Sequence, residues 1–176
     1  MSTVNYPVYP LVLVDDDIPV LESTERILRS SGLNHFVCCQ DSRKVMELLA
    51  SREVSAVLLD LAMPYLTGQE LLSQIAGAYP GLPVVIVTGA NEVSTAVECM
   101  KLGAVDYMVK PVEKNRLLSG VRRVIELHEL RLENALLRER MFTGTIGRPE
   151  VFQDIVTVNA LMLSIFRYCE TIAASP

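Results

Sequence analysis

Asp60 closes the apolar run from Ala56 to Leu59, and Pro64 follows shortly after. The run is too short for a helix and reads as a strand buried on both faces, ended by turn chemistry at Pro64. A carboxylate at the carboxyl end of such a strand lies at the rim where α/β sheets bind ligands and react. There it can act as a nucleophile or cap the next helix, and the other strand ends bear on the choice. The run Leu11 to Val14 feeds Asp15, Asp16 and Asp17. Three adjacent carboxylates repel one another and raise one another's pKa unless a cation or hydrogen-bond donors compensate. Mg2+ is the natural compensation, because it takes one or two carboxylates together with waters and a phosphoryl oxygen. The run PVVIV ends at the hydroxyl of Thr88, and a short run from Val105 ends at the ammonium of Lys110, just ahead of Pro111. A metal site, an acyl nucleophile, a hydroxyl and a fixed cation together suit phosphoryl transfer to a carboxylate.

The elements that must position these groups alternate along the chain. Asp17 can cap a helix whose first turn holds Pro19, where a missing N–H is harmless. Val20, Leu21, Thr24, Ile27 and Leu28 mark one face of that helix, and Gly32 stops it. A strand over Phe36–Cys39 and a helix over Ser42–Ser51 come next, then the strand that ends at Asp60. After the Pro64 turn and Gly68, a helix with Leu71, Leu72 and Ile75 runs to the break at Tyr79-Pro80-Gly81. The Thr88 strand follows. A helix from Glu92 to Leu102 shows Val93, Ala96, Val97 and Met100 at helical spacing, and a fifth strand covers Val105–Val109. Five strand–helix alternations with short loops predict a parallel sheet covered by helices on both faces.

The pair Asp15-Asp16, the DLAMP segment with Asp60, Thr88 after VVIV, and DYMVKP with Tyr107, Lys110 and Pro111 stand in one order and spacing. In these features the chain, over residues 9 to 125, resembles the receiver domain of two-component response regulators. The resemblance implies a flavodoxin-like (βα)5 fold with strand order 2-1-3-4-5, which brings Asp15, Asp16 and Asp60 together. It implies that Asp60 accepts a phosphoryl group from a sensor histidine kinase. Asp15 and Asp16 would then hold Mg2+ with Asp60 and the backbone carbonyl of Ala62, while Thr88 and Lys110 contact the phosphoryl oxygens. A cis bond between Lys110 and Pro111 would aim the ammonium. Tyr107, otherwise a half-buried strand tyrosine, becomes the aromatic that turns inward as Thr88 is drawn to the phosphoryl group. Such a receiver promotes its own phosphorylation and dephosphorylation. Ala62 and Ala90 are small where the family often carries bulkier or polar residues, and Gly89 replaces the more usual alanine, which leaves the site open to water.

Composition excludes other classes. The 176 residues are 50% hydrophobic with a net charge of −5. That is room for one core and an appendage, and it lacks the clustered Lys and Arg that direct nucleic-acid binding needs. Cys38, Cys39, Cys99 and Cys169 form no metal-binding pattern with His35 or His128. No apolar run reaches the length of a membrane span, and the amino terminus has neither basic flank nor apolar core, so a cytoplasmic protein is expected.

From Glu113 a helix is predicted to continue to Met141. Leu117, Val121, Val124 and Ile125 would face the sheet; Leu127, Leu130, Asn134, Leu137 and Met141 then alternate three and four residues apart. That seam suits a dimerising coiled coil, the alternative being an amphipathic helix lying on its own domain. The expected organisation is a receiver over 1–125, a linker helix over 126–142, and over 143–176 the start of another domain. The turn at Ile146-Gly147 and the helices after it resemble the opening of the AAA+ ATPase domain of sigma-54-dependent activators. A phosphate-binding GxxxxGK[ST] loop is not present. The chain thus reads as cut short before that loop. By this resemblance the whole protein is a homodimeric ATPase that reaches sigma-54 RNA polymerase through its missing output domain. A receiver with another output, or a dimerisation adaptor, remain alternatives.

Overall fold

Four-residue apolar runs become the centre of a parallel sheet. The computed structural model describes residues 6–143, 149–157 and 159–173. It divides into two units, Met1–Glu129 and Leu130–Pro176. The first unit holds β1 (Leu11–Val14), β2 (Phe36–Cys39), β3 (Ala56–Leu59), β4 (Val84–Thr88) and β5 (Asp106–Val109). All pairings are parallel, in the order β2-β1-β3-β4-β5, as expected. β1 and β3 are buried at every residue, which is why they read as continuous apolar runs rather than alternations.

The helices of this unit are α1 (Ile18–Ser30), α2 (Val45–Ser51), α3 (Gly68–Ala78), α4 (Val93–Lys101) and the first part of α5 (Lys114–Thr143). Alternate strand residues face opposite cores. Val12, Val14, Val57, Leu59 and Ile86 pack with Val45, Leu49, Leu71, Leu72 and Ile75 on one side. Leu11, Leu13, Leu58 and Val85 pack with Leu21, Leu28, Leu117, Val121, Val124 and Ile125 on the other. Gly32 and Gly103, at φ +86° and +106°, take the left-handed turns that end α1 and α4.

Some expectations are corrected. Asp17 takes the N-cap position of α1, but its side chain makes no cap bond; its own N–H donates to Asp15 Oδ1 at 3.0 Å. The helix expected from Ser42 begins as a 3-10 turn, Ser42–Lys44, because Asp41 accepts the Arg43 N–H. Val105 precedes β5, although its N–H still bonds to Val84 O at 2.8 Å. In α4, Val93, Val97 and Met100, which stand at the expected helical spacing, lie toward solvent. These residues are 80%, 47% and 48% exposed, while Cys99 is fully buried. Helical spacing reveals a stripe but not the direction in which it points.

The second unit contains the end of α5, a 3-10 turn at Pro149–Phe152 and α6 (Ala160–Ala173). The Phe152 and Phe166 rings stack with centroids 4.4 Å apart, and Phe166 is buried. Ile165 is exposed and Met162 half-buried; the side chain of Leu161 and the Ile146-Gly147 turn lie outside the described residues. No described helix is long and apolar enough to cross a membrane.

Candidate functional site

Parallel pairing assembles the site from residues far apart in sequence. Val14 is level with Leu59 across β1 and β3, so the residues that follow them, Asp15 and Asp60, emerge side by side. The Asp60 N–H donates to Val14 O at 2.9 Å, and the Asp15 N–H to Cys39 O at 3.3 Å. Carboxylate oxygens of Asp15, Asp16 and Asp60 lie within 4.8 Å of one another; Asp15 and Asp60 are buried and Asp16 exposed. At the next strand end the Lys110 N–H bonds Thr88 O at 2.8 Å, and the Lys110–Pro111 bond is cis. The Lys110 Nζ reaches Asp15 Oδ2 at 2.5 Å and stands 3.1 Å from Asp60 Oδ1.

This set carries more negative charge than the protein neutralises. Burial pushes the Asp15 carboxyl above the usual carboxylate range, helped by the charge of Asp60, despite the bond from Lys110 and the Asp17 N–H. Burial also works against the charged form of Lys110. The hydrogen bond to Asp15 and the charges of Asp15 and Asp60 outweigh it and raise the ammonium pKa. Lys110 is therefore a fixed cation. Asp60 Oδ2 accepts the Ala62 N–H at 2.9 Å. Asp60 Oδ1 is buried and no hydrogen bond of good geometry reaches it; its close polar neighbour is the Lys110 ammonium at 3.1 Å. Three carboxylates, hard oxygen donors and one orphaned buried oxygen fit a small hard cation such as Mg2+.

Thr88 is fully buried, and its Oγ1 accepts the Ala90 N–H at 3.3 Å. The Tyr107 hydroxyl donates to Ala90 O at 2.7 Å. One peptide segment after β4 is thus held from both ends by the two residues expected to act together. Tyr107 is half-buried, and burial raises its phenol above the ordinary range, helped by Cys99, Glu92 and Asp60.

Several contributors escaped the sequence reading. Gly68, taken only as part of a loop, opens α3 directly against the site: a Cβ there would lie 2.1 Å from Asp60 O and 2.6 Å from Leu61 Cα. Ser42, 2% exposed, donates to Pro64 O at 3.1 Å. Asp106 is buried at the start of β5 and accepts from both terminal nitrogens of the Arg116 guanidinium, at 3.0 and 2.6 Å. Gly120 leaves room chiefly for Met108, whose Cε a Cβ there would meet at 2.2 Å, and secondarily for that pair, with Arg116 Nη1 at 3.2 Å and Asp106 Oδ2 at 3.4 Å. In the proposed seam Leu127, Leu130 and Asn134 are exposed, while the side chains of Leu137 and Met141 lie outside the described residues.

Residues 11–122 match the family described as response regulator receiver domain. The chain is 33% identical over 140 residues to a putative NtrX-like response regulator of Rickettsia bellii, covering 77% of this chain and 28% of that protein. It is 34% identical over 128 residues to the C4-dicarboxylate transport transcriptional regulatory protein DctD of Pseudomonas aeruginosa, covering 73% and 28%. It thus spans less than a third of those relatives. Among solved structures, a CheY-like receiver domain protein from Methanospirillum hungatei superposes with a TM-score of 0.65 at 26% identity, over 70% of this chain and 98% of that one. The family match takes in more than half of the sequence and both strand ends that carry the carboxylates, and the protein accordingly belongs to the response regulator receiver domain family.

Proposed function

We propose that Asp60 accepts a phosphoryl group from the phosphohistidine of a sensor kinase, in a reaction that depends on Mg2+. The observation that carries this reading is the buried, unbonded Oδ1 of Asp60 among two further carboxylates and beside the Lys110 ammonium. Asp15, Asp16, Asp60 and the Ala62 carbonyl would hold Mg2+, which would supply positive charge to offset that of the phosphoryl group. The Asp60 carboxylate forms the new O–P bond as the histidine N–P bond breaks, and the imidazole leaves with its electron pair. Lys110, released from Asp15, holds one phosphoryl oxygen; Thr88 donates its hydroxyl to another. Drawing Thr88 away loosens its hold on Ala90, and Tyr107 follows, so that the loop after β4 becomes a two-state element biased by local charge.

The receiver occupies residues 1–125 in this reading, a linker helix 126–142, and the opening of an output domain 143–176. Leu127, Leu130, Asn134, Leu137 and Met141 form the seam of a homodimer. Similarity to the transcriptional regulatory protein DctD supports an output in transcription; the resemblance seen in the sequence makes it a sigma-54 activator with its own ATPase. Acetyl phosphate with Mg2+ tests the chemistry. Incorporation of one phosphoryl group, abolished by EDTA, is expected; no incorporation would leave a dimerisation adaptor as the better reading. Sedimentation tests the dimer: removing residues after Glu129, which spares the buried Ile125, should yield monomers, and Asn134→Leu should tighten association while permitting larger oligomers.

A further inference from the structure

The loop that follows Asp60 contains a strained turn. Tyr65 has φ +71°, and the Leu66 N–H bonds Pro64 O at 3.0 Å across it. A positive φ with an i→i+2 hydrogen bond is the rarer γ-turn, unfavourable for a residue with a Cβ unless its surroundings hold it. Two ties from one neighbouring segment do so. The Ser42 hydroxyl donates to the same Pro64 oxygen at 3.1 Å, in a place where the serine is 2% exposed. The Arg43 guanidinium lies over the Tyr65 ring, 4.1 Å from its centroid. Arg43 is itself fixed, because Asp41 accepts its Nε and Nη2, each at 2.9 Å, and its backbone N–H at 3.1 Å. The other end of the loop is closed by the Gly68 N–H on Leu61 O at 3.1 Å.

We infer that Ser42 and Arg43 are positioning residues: they hold the Tyr65 turn and thereby fix the peptide at Ala62, setting how firmly the acidic site retains a divalent cation. Between the two ends of this loop lie only Ala62 and Met63 ahead of Pro64, so the set of Pro64 and Tyr65 dictates where the Ala62 carbonyl points. Neither Ser42 nor Arg43 belongs to the carboxylate cluster, and their effect must pass through the loop. The cation half of the inference rests on the function proposed above; the loop half does not.

The test combines amide exchange of the metal-free full chain with a Mg2+ titration. Ser42→Ala is expected to speed exchange at Ala62 and Leu66 and to weaken Mg2+ binding, each about fivefold, the worth of one hydrogen bond. Ser42→Thr should restore both, since it keeps the hydroxyl. Arg43→Met should move the same two amides and leave those of β1 unchanged. Tyr65→Gly should speed exchange in the loop while raising the thermal midpoint, because glycine accepts the positive φ, and this separates loop order from overall stability. Unchanged exchange at Ala62 and Leu66 in Ser42→Ala overturns the inference. Faster exchange with unaltered Mg2+ affinity overturns its cation half. A wild-type protein that binds no Mg2+ refutes the proposed phosphoryl chemistry, and the exchange data then still decide whether the clamp orders the loop.

Discussion

Two charged sites with buried carboxylates in the first unit are built to opposite rules. At the carboxyl ends of β1 and β3, Asp15 and Asp60 share one ammonium with the exposed Asp16 close by, and an oxygen of Asp60 is left without a hydrogen bond. At the start of β5, Asp106 alone faces two guanidiniums, those of Arg116 and Arg123. Both its oxygens are bonded, and one also accepts the Tyr107 N–H at 2.8 Å. Burial acts on both clusters in the same direction. For Asp15 it prevails and the carboxyl rises; for Asp106 the Arg116 bonds, the Tyr107 N–H and the charges of Arg116 and Arg123 outweigh it and the carboxyl falls. A satisfied cluster is spent on holding the fold, whereas an unsatisfied one still has charge to offer a ligand.

The largest expected effect breaks this contrast at its active end. Asp60→Asn should abolish phosphoryl incorporation from acetyl phosphate, because an amide is not a carboxylate nucleophile, and should leave the thermal midpoint equal or higher as repulsion with Asp15 is relieved. Labelled incorporation equal to wild type would remove Asp60 from the site. Gly68→Ala comes next: its Cβ would overlap the Asp60 and Leu61 backbone, so the loop must shift, costing about 3 kcal/mol and slowing phosphorylation as well. Denaturant titration beside a phosphorylation time course reads both effects.

The satisfied cluster should respond in the opposite sense. Arg116→Met leaves the Asp106 charge poorly paired and should cost about 2 kcal/mol, a figure discounted because Arg116 is 44% exposed, with phosphorylation intact. Its pH signature follows from the lowered Asp106 carboxyl. That contribution is fully present above the unfolded carboxylate pKa and is lost as pH falls through the folded value, so Arg116→Met should flatten the acid limb of a stability–pH curve. An unchanged acid limb would disconnect Asp106 from acid stability. The smallest effect concerns lifetime. Ala62→Gln should slow loss of the acyl phosphate a few-fold by excluding water, and equal or faster decay would show that residue 62 does not shield the site.

The sequence made the sheet legible because parallel strands buried on both faces are written as short apolar runs, and each site residue sits at the end of one. The two features read least well depend on direction and on proximity in space. Val93, Val97 and Met100 have the spacing of a core face yet point to solvent, since period alone does not say which side of α4 Cys99 will occupy. Ser42, Gly68 and Asp106 act through contacts with backbone or side chains whose nearness only the folded sheet creates. Asp106 did carry a signal: a carboxylate inside an apolar strand must find a cation, and Arg116 and Arg123 follow at helical spacing.

Lys110 and Asp15 meet across 95 positions of sequence, and β1, which supplies Asp15, is paired on both of its edges. A chain emerging from the ribosome therefore makes all three carboxylates long before it makes their counter-charge, and a nascent receiver that ends before β5 presents an acidic cluster with no ammonium beside it. In the function proposed above, competence for phosphoryl transfer would arrive only when the last strand docks and brings Lys110 to Asp15 and Asp60. On that proposal, acceptance of the group would report that the domain has finished folding, because fraying of β5 from β4 takes the ammonium away from the carboxylates.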